Sequence, residues 1–105
     1  MSDIMINIYD QVGYFAENKD VGREIRLEKI MPALKNRNRV ILNFEKVDRA
    51  TQSFIHSLVS DPIRNYGEKA LDMLLFKSCS QDVATMVSFV VDYMQDAIKK
   101  GKEIE

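Results

Sequence analysis

Cysteine occurs once, at Cys79, and histidine once, at His56. A lone thiol cannot close an internal disulfide, so a reducing compartment is expected, and with it a cytoplasmic location. One histidine and one cysteine do not supply the ligands of a metal site. Neither sign of charge dominates: fifteen basic residues face sixteen acidic ones, for a net charge of −1. Nucleic-acid binding draws on clustered Lys and Arg. The only basic stretch here, Arg23, Arg26, Lys29, Arg37 and Arg39, is diluted by Glu24 and Glu28, so no nucleic-acid partner is expected. Long apolar runs are missing as well. Uncharged stretches such as Val83 to Val91 are far too short to span a bilayer. The opening Met-Ser-Asp-Ile has neither the basic nor the apolar region of a secretory leader. No Gly-rich phosphate loop is present, and Gly22-Arg23-Glu24 reads as a turn and cap. No cofactor is expected.

What remains is an ordinary globular composition, 46% apolar in 105 residues, which fits one domain over residues 1–98 with a polar tail at 99–105. Ile4, Ile6 and Ile8 alternate with polar or mixed positions and predict a strand with one buried face. A second short strand is expected at Val12 to Glu17, paired with the first as a hairpin. Asp20 is a reasonable cap for a helix whose apolar face is Leu27, Ile30, Met31 and Leu34, kinked by Pro32 near Glu28 to Met31 and closed at Asn36-Arg37-Asn38. Val40 to Phe44 reads as a central strand covered on both faces. A polar loop, Glu45 to Ala50, leads to Thr51 as the cap of the next helix. Asp61-Pro62 looks like a fresh helix start, so a break near Ser60 and an end at Gly67 are expected. Leu71 to Phe76 predicts another inner strand. Ser80 caps a last helix with Val83, Met86, Val87, Val90, Met94, Ala97 and Ile98 along one face, ending at Lys99-Lys100-Gly101. The order β-β-α-β-α-β-α implies an α/β fold with a mostly parallel sheet.

Several segments carry a family likeness: Gly22-Arg23-Glu24; Ile30-Met31-Pro32-Ala33-Leu34; Arg39-Val40-Ile41-Leu42-Asn43-Phe44; Glu45-Lys46-Val47; and Thr51-Gln52-Ser53-Phe54-Ile55. In this order the chain resembles the bacterial STAS-like domains of unknown function, relatives of the STAS domains of anti-sigma-factor antagonists, over roughly Ile4 to Met94. The resemblance implies a mixed, mostly parallel sheet of about four strands with helices mainly on one face. It also implies a protein-interaction role in signalling, with a histidine-kinase-like ATPase as a possible partner. In the antagonists the helix after the central strand opens with Asp-Ser-Ser-Gly, and a phosphorylated serine switches binding. Here Thr51, Gln52, Ser53 and Phe54 fall at those places. The phosphoacceptor position is Gln52, which leaves Thr51 and Ser53 as the hydroxyls beside it.

Asp48, Arg49, Thr51, Gln52, Ser53 and His56 are therefore the candidate residues for partner docking or phospho-regulation. An alternative is a small anionic ligand or nucleotide held at the helix start near Thr51, where free N–H groups favour anions. Catalysis is not expected. Helical spacing puts Gln52, Ser53, Val59 and Ser60 near His56, with no acid to orient it. Cys79 lacks a base or second thiol and reads as structural. Met31, Met73, Met86 and Met94 sit at core spacing. Phe89, Val91 and Tyr93 lie partly outside the main stripe of the last helix. That helix is thus either deeply buried or meets another chain, as a homo-oligomer or with a stable partner.

Overall fold

The computed structural model describes residues 2–99; the polar tail beyond Lys99, with Lys100 and Gly101, lies outside them. The chain opens with β1 (Asp3–Asn7), a turn of helix α1 (Ile8–Val12) and a two-residue β2 (Phe15–Ala16). Ile6 and Ile8 are buried as the alternation requires, but Ile4 is 37% exposed and Ile8 already belongs to α1. The expected hairpin does not form. β1 pairs in parallel with β3 (Arg39–Asn43), and β2 pairs in parallel with β4 (Arg49–Ala50), a short strand inside the stretch expected as loop.

Between them run α2 (Lys19–Ile25), one π-helical turn (Arg26–Ile30) and α3 (Met31–Lys35). Asn18, not Asp20, caps α2: its side chain accepts from Asp20 N at 3.0 Å and Val21 N at 3.3 Å. Pro32 explains the π turn. Proline has no N–H to give the carbonyl four residues back, and its ring crowds that carbonyl. Widening the preceding turn, with Met31 N–H bonded to Arg26 O, lets the helix continue past it. The extra residue also shifts the buried face. Ile25 and Ile30, five apart, are buried, whereas Leu27 is 48% exposed. Gly22 is helical and buried rather than a turn: a Cβ there would overlap Ser57 Oγ and sit 3.2 Å from Ser57 Cβ. Glycine thus sets how closely α2 approaches α4.

α4 (Gln52–Tyr66) begins at Thr51 and ends at Gly67, whose φ of 61° is a conformation glycine adopts freely. It does not break at Ser60. Pro62 lies inside it, and the turn around it is held by burial of Leu58, Val59, Ser60, Pro62 and Ile63. The Leu71 to Phe76 run divides. A turn of helix α5 (Lys69–Met73) passes directly into β5 (Leu74–Lys77). Then follows α6 (Gln81–Lys99), capped by Ser80, whose Oγ accepts from Val83 N at 3.1 Å.

The main sheet is parallel in the order β1-β3-β5, with the β2-β4 pair as a second small sheet. This is an α/β fold of three strands plus two. β3 is central, but it is covered on one face only. Val40 and Leu42 are fully buried against the helical side with Phe54, Ile55, Leu58 and Val83. The opposite row, Met5–Ile41–Leu75, remains partly open to solvent. Phe44 stacks on Phe76 with ring centroids 6.2 Å apart, closing the core at the strand ends. Of the four methionines expected in the core, Met94 is buried, and Met31, Met73 and Met86 are half-buried.

Candidate functional site

The start of α4 is fixed by backbone bonds before any side chain is considered. Tyr14 O accepts from Asp48 N at 2.7 Å and Arg49 N at 3.2 Å, and Ala16 O accepts from Thr51 N at 2.9 Å. Ser80 Oγ donates to Asp48 O at 2.7 Å, tying the segment to the start of α6. Thr51 Oγ1 accepts from Phe54 N at 3.1 Å, the bond of an N-cap, and lies 3.3 Å from Ser53 Oγ. On this fixed backbone, Asp48, Arg49, Gln52 and Ser53 are exposed, and Thr51 and His56 are half-buried. The Arg49 guanidinium lies over the Phe15 ring at 5.0 Å, a cation–π contact that limits its freedom.

The six candidate residues divide between two neighbouring surfaces. Thr51, Gln52, Ser53 and His56 line a groove of about 830 Å³ between α2 and α4. Asp48 and Arg49 stand outside it, on β4 and the turn before it. The opposite wall consists of Lys19, Asp20, Arg23 and Arg26, and Asp61 and Arg64 close the far end. Along the linear sequence Glu24 and Glu28 mask Arg23 and Arg26, so this wall does not stand out. The signal for it is helical spacing, since positions 19, 23 and 26 share one helix face and positions 24 and 28 do not.

Arg26 locks the two helices together. Its Nη1 donates to Ser57 O at 3.0 Å and Ser60 Oγ at 2.8 Å. Its Nε, sealed from solvent, lies 3.1 Å from Asp61 Oδ2. That N–H is not aimed at the carboxylate, so the contact is an ion pair without a hydrogen bond. Asp61 also accepts from Arg64 Nη1 at 2.7 Å. Asp61 is therefore an ion-pair hub and not the cap of a second helix.

Burial holds the His56 pKa below its ordinary value, and the Arg64 and Arg26 charges add to that effect. Burial pushes the Cys79 thiol up, away from the reactive thiolate. At the other end of the sheet, Arg39 grips Asp3 through two bonds of 2.9 Å and holds that carboxyl below its usual range. Phe89 and Tyr93, one turn apart on α6, are 56% and 61% exposed. Deep burial of that helix is thus excluded. No helix of the described residues is long and apolar enough to cross a membrane.

A family model described as a STAS-like domain of unknown function matches residues 21–84, from α2 through the first turn of α6 and over more than half of the chain. The chain belongs to this family. The matched segment of the STAS-like protein holds both walls of the groove apart from Lys19 and Asp20, together with all six candidate residues. No curated protein and no solved structure matches the chain.

Proposed function

We propose that this STAS-like protein is a non-catalytic docking module of bacterial signalling, whose partner meets the surface built by Asp48, Arg49, Thr51, Gln52, Ser53 and His56. One observation carries the reading: a run of exposed polar side chains stands on a backbone tied at Asp48, Arg49 and Thr51 to two other parts of the fold. Such a surface loses little conformational entropy on binding, which favours recognition. Its place at the start of α4, after the central strand, is where the antagonist STAS domains carry their switch. By that likeness the partner is a histidine-kinase-like ATPase.

The groove contributes to the same surface through Thr51, Gln52, Ser53 and His56. A phosphate on Ser53 would add nearly two negative charges beside the Thr51 cap and change any docked interface. Phosphorylation of Thr51 would turn the cap oxygen that accepts from Phe54 N into an ester oxygen and place the charge at the start of α4.

The test is co-purification from the native cell, compared among the wild type, Arg49→Glu, Ser53→Asp and a distant control, Arg37→Glu. Loss of the captured protein with the first two variants and retention with the control supports the reading. Equal capture by all four proteins rejects this surface. A homo-oligomer through α6 is a separate proposal resting on exposed Phe89 and Tyr93. Light scattering of the wild type and a Phe89→Ser/Tyr93→Ser double variant decides it.

A further inference from the structure

The groove between α2 and α4 is unusual in its lining. Every side chain along it is polar or charged, with no aliphatic residue and no Phe, Tyr or Trp. Its volume of about 830 Å³ lies in the range of small-ligand sites, yet no aliphatic side chain lines it, and the one ring among its lining residues is the His56 imidazole. Its charge is lopsided. Four cationic side chains stand against two carboxylates in a chain whose net charge is −1. Asp61 is already shared by Arg26 and Arg64. Lys19 and Arg23 make no ion pair with any described residue. Asp20, also outside any ion pair among the described residues, stands beside them, so Lys19 and Arg23 leave this wall of α2 with one cation more than acid, and Ser53 on α4 and Thr51 at its cap offer hydroxyls.

We propose that this groove binds a compact oligophosphate anion, held by Lys19 and Arg23 and by the hydroxyls of Thr51 and Ser53. Charge-assisted bonds from an Arg fork and a Lys suit phosphate oxygens. Arg26 does not take part directly, because its donors to Ser57 and Ser60 hold the two walls at their spacing. The ligand is recognised by its phosphates alone, so a free oligophosphate and the same group on a nucleoside should bind alike. This goes beyond partner docking and uses a wall that docking does not require.

Binding has a built-in reporter. His56 shares the groove with Lys19, Asp20 and Arg23 of α2, Arg26 of the π-helical turn, and Asp61 and Arg64 of its own helix. Its pKa is lowered by burial and by the positive field of Arg64 and Arg26. A bound anion offsets that field, so the His56 pKa should rise on binding.

The experiment follows the His56 ring resonances by NMR while tripolyphosphate, pyrophosphate or ATP is added at low ionic strength. The expected result is saturable shifts, a raised His56 pKa, and equal affinity for tripolyphosphate and ATP. Arg23→Ala and Lys19→Ala, both at exposed positions, should each weaken binding about ten-fold, as expected for one charge-assisted bond. Arg37→Ala, outside the groove, should leave it unchanged. Absence of a saturable His56 response overturns the proposal, and so does equal weakening by Arg37→Ala. Tighter binding of ATP than of tripolyphosphate overturns recognition by phosphate alone. Capture of a partner through Arg49 is read independently, so the two proposals can fail separately.

Discussion

Gly22→Ala should destabilise the protein, although alanine is the better helix former. In an exposed helix interior the change stabilises by about 1 kcal/mol. Here the added methyl overlaps Ser57 Oγ and sits 3.2 Å from Ser57 Cβ and 3.4 Å from Phe54 Cδ1. The Ser57 hydroxyl donates to Phe54 O inside α4. Driving it off that carbonyl leaves a buried donor unpaired, a cost of about 1–3 kcal/mol. The tight Cβ contact adds about 1–3 kcal/mol of overpacking. Setting the propensity gain against these, we expect a net loss of about 2–3 kcal/mol, roughly 10–20 °C in Tm for a domain of this size. Urea unfolding of the wild type, Gly22→Ala, Ser57→Ala and the double variant measures it. Removing the hydroxyl removes the worst overlap, so the double variant should recover about 1–2 kcal/mol relative to additivity. A neutral or stabilising Gly22→Ala, with strictly additive effects, would refute the close approach of α2 to α4 and the groove spacing with it.

Three further outcomes follow from the same geometry. Arg26→Met should lower stability by about 2 kcal/mol in urea unfolding, since it removes two charge-assisted bonds from a side chain only 15% exposed. Thr51→Ala should lose about 1 kcal/mol of cap stabilisation, whereas Thr51→Ser should retain most of it. The folded-state pKa of His56 lies below its unfolded value near 6.5. Its contribution to stability is therefore full above that value and is lost as pH falls toward the folded pKa. NMR titration of Arg64→Gln should show the His56 pKa moving back up, because one repelling charge is gone.

The parts of the fold legible in the sequence were those written in local pattern. The Val40 to Phe44 run, the Thr51 and Ser80 caps and the Gly67 stop each depend on a few adjacent residues, and each stands where its chemistry puts it. What escaped was set by tertiary contact. The partner of β1 is β3, because a parallel pairing across α2 and α3 satisfies its edge, and nothing in the first twenty residues specifies that. Pro62 reads as a helix start in isolation, yet packing on both sides carries α4 through it. Pro32 disturbs the helix as its missing N–H predicts, but its accommodation as a π turn moves the buried face from Leu27 to Ile25. Likewise Gly22 reads as a turn until its neighbour Ser57, thirty-five positions on, is in view. At the site, the candidate residues on α4 follow from the Thr51 cap together with the likeness of Thr51-Gln52-Ser53-Phe54 to the antagonists' motif. The cationic wall of α2 is a pairing of two helices that no single segment reveals.

The docking claim is tested most directly by mapping the bound surface. The isotope-labelled protein is titrated with the partner it co-purifies with, and backbone amide shifts are followed residue by residue. The largest perturbations are expected at residues 48–56, with little change along Met5, Ile41 and Leu75 on the open sheet face or at Phe89 and Tyr93. Perturbations concentrated on α6 or on that sheet face, with 48–56 silent, would contradict it.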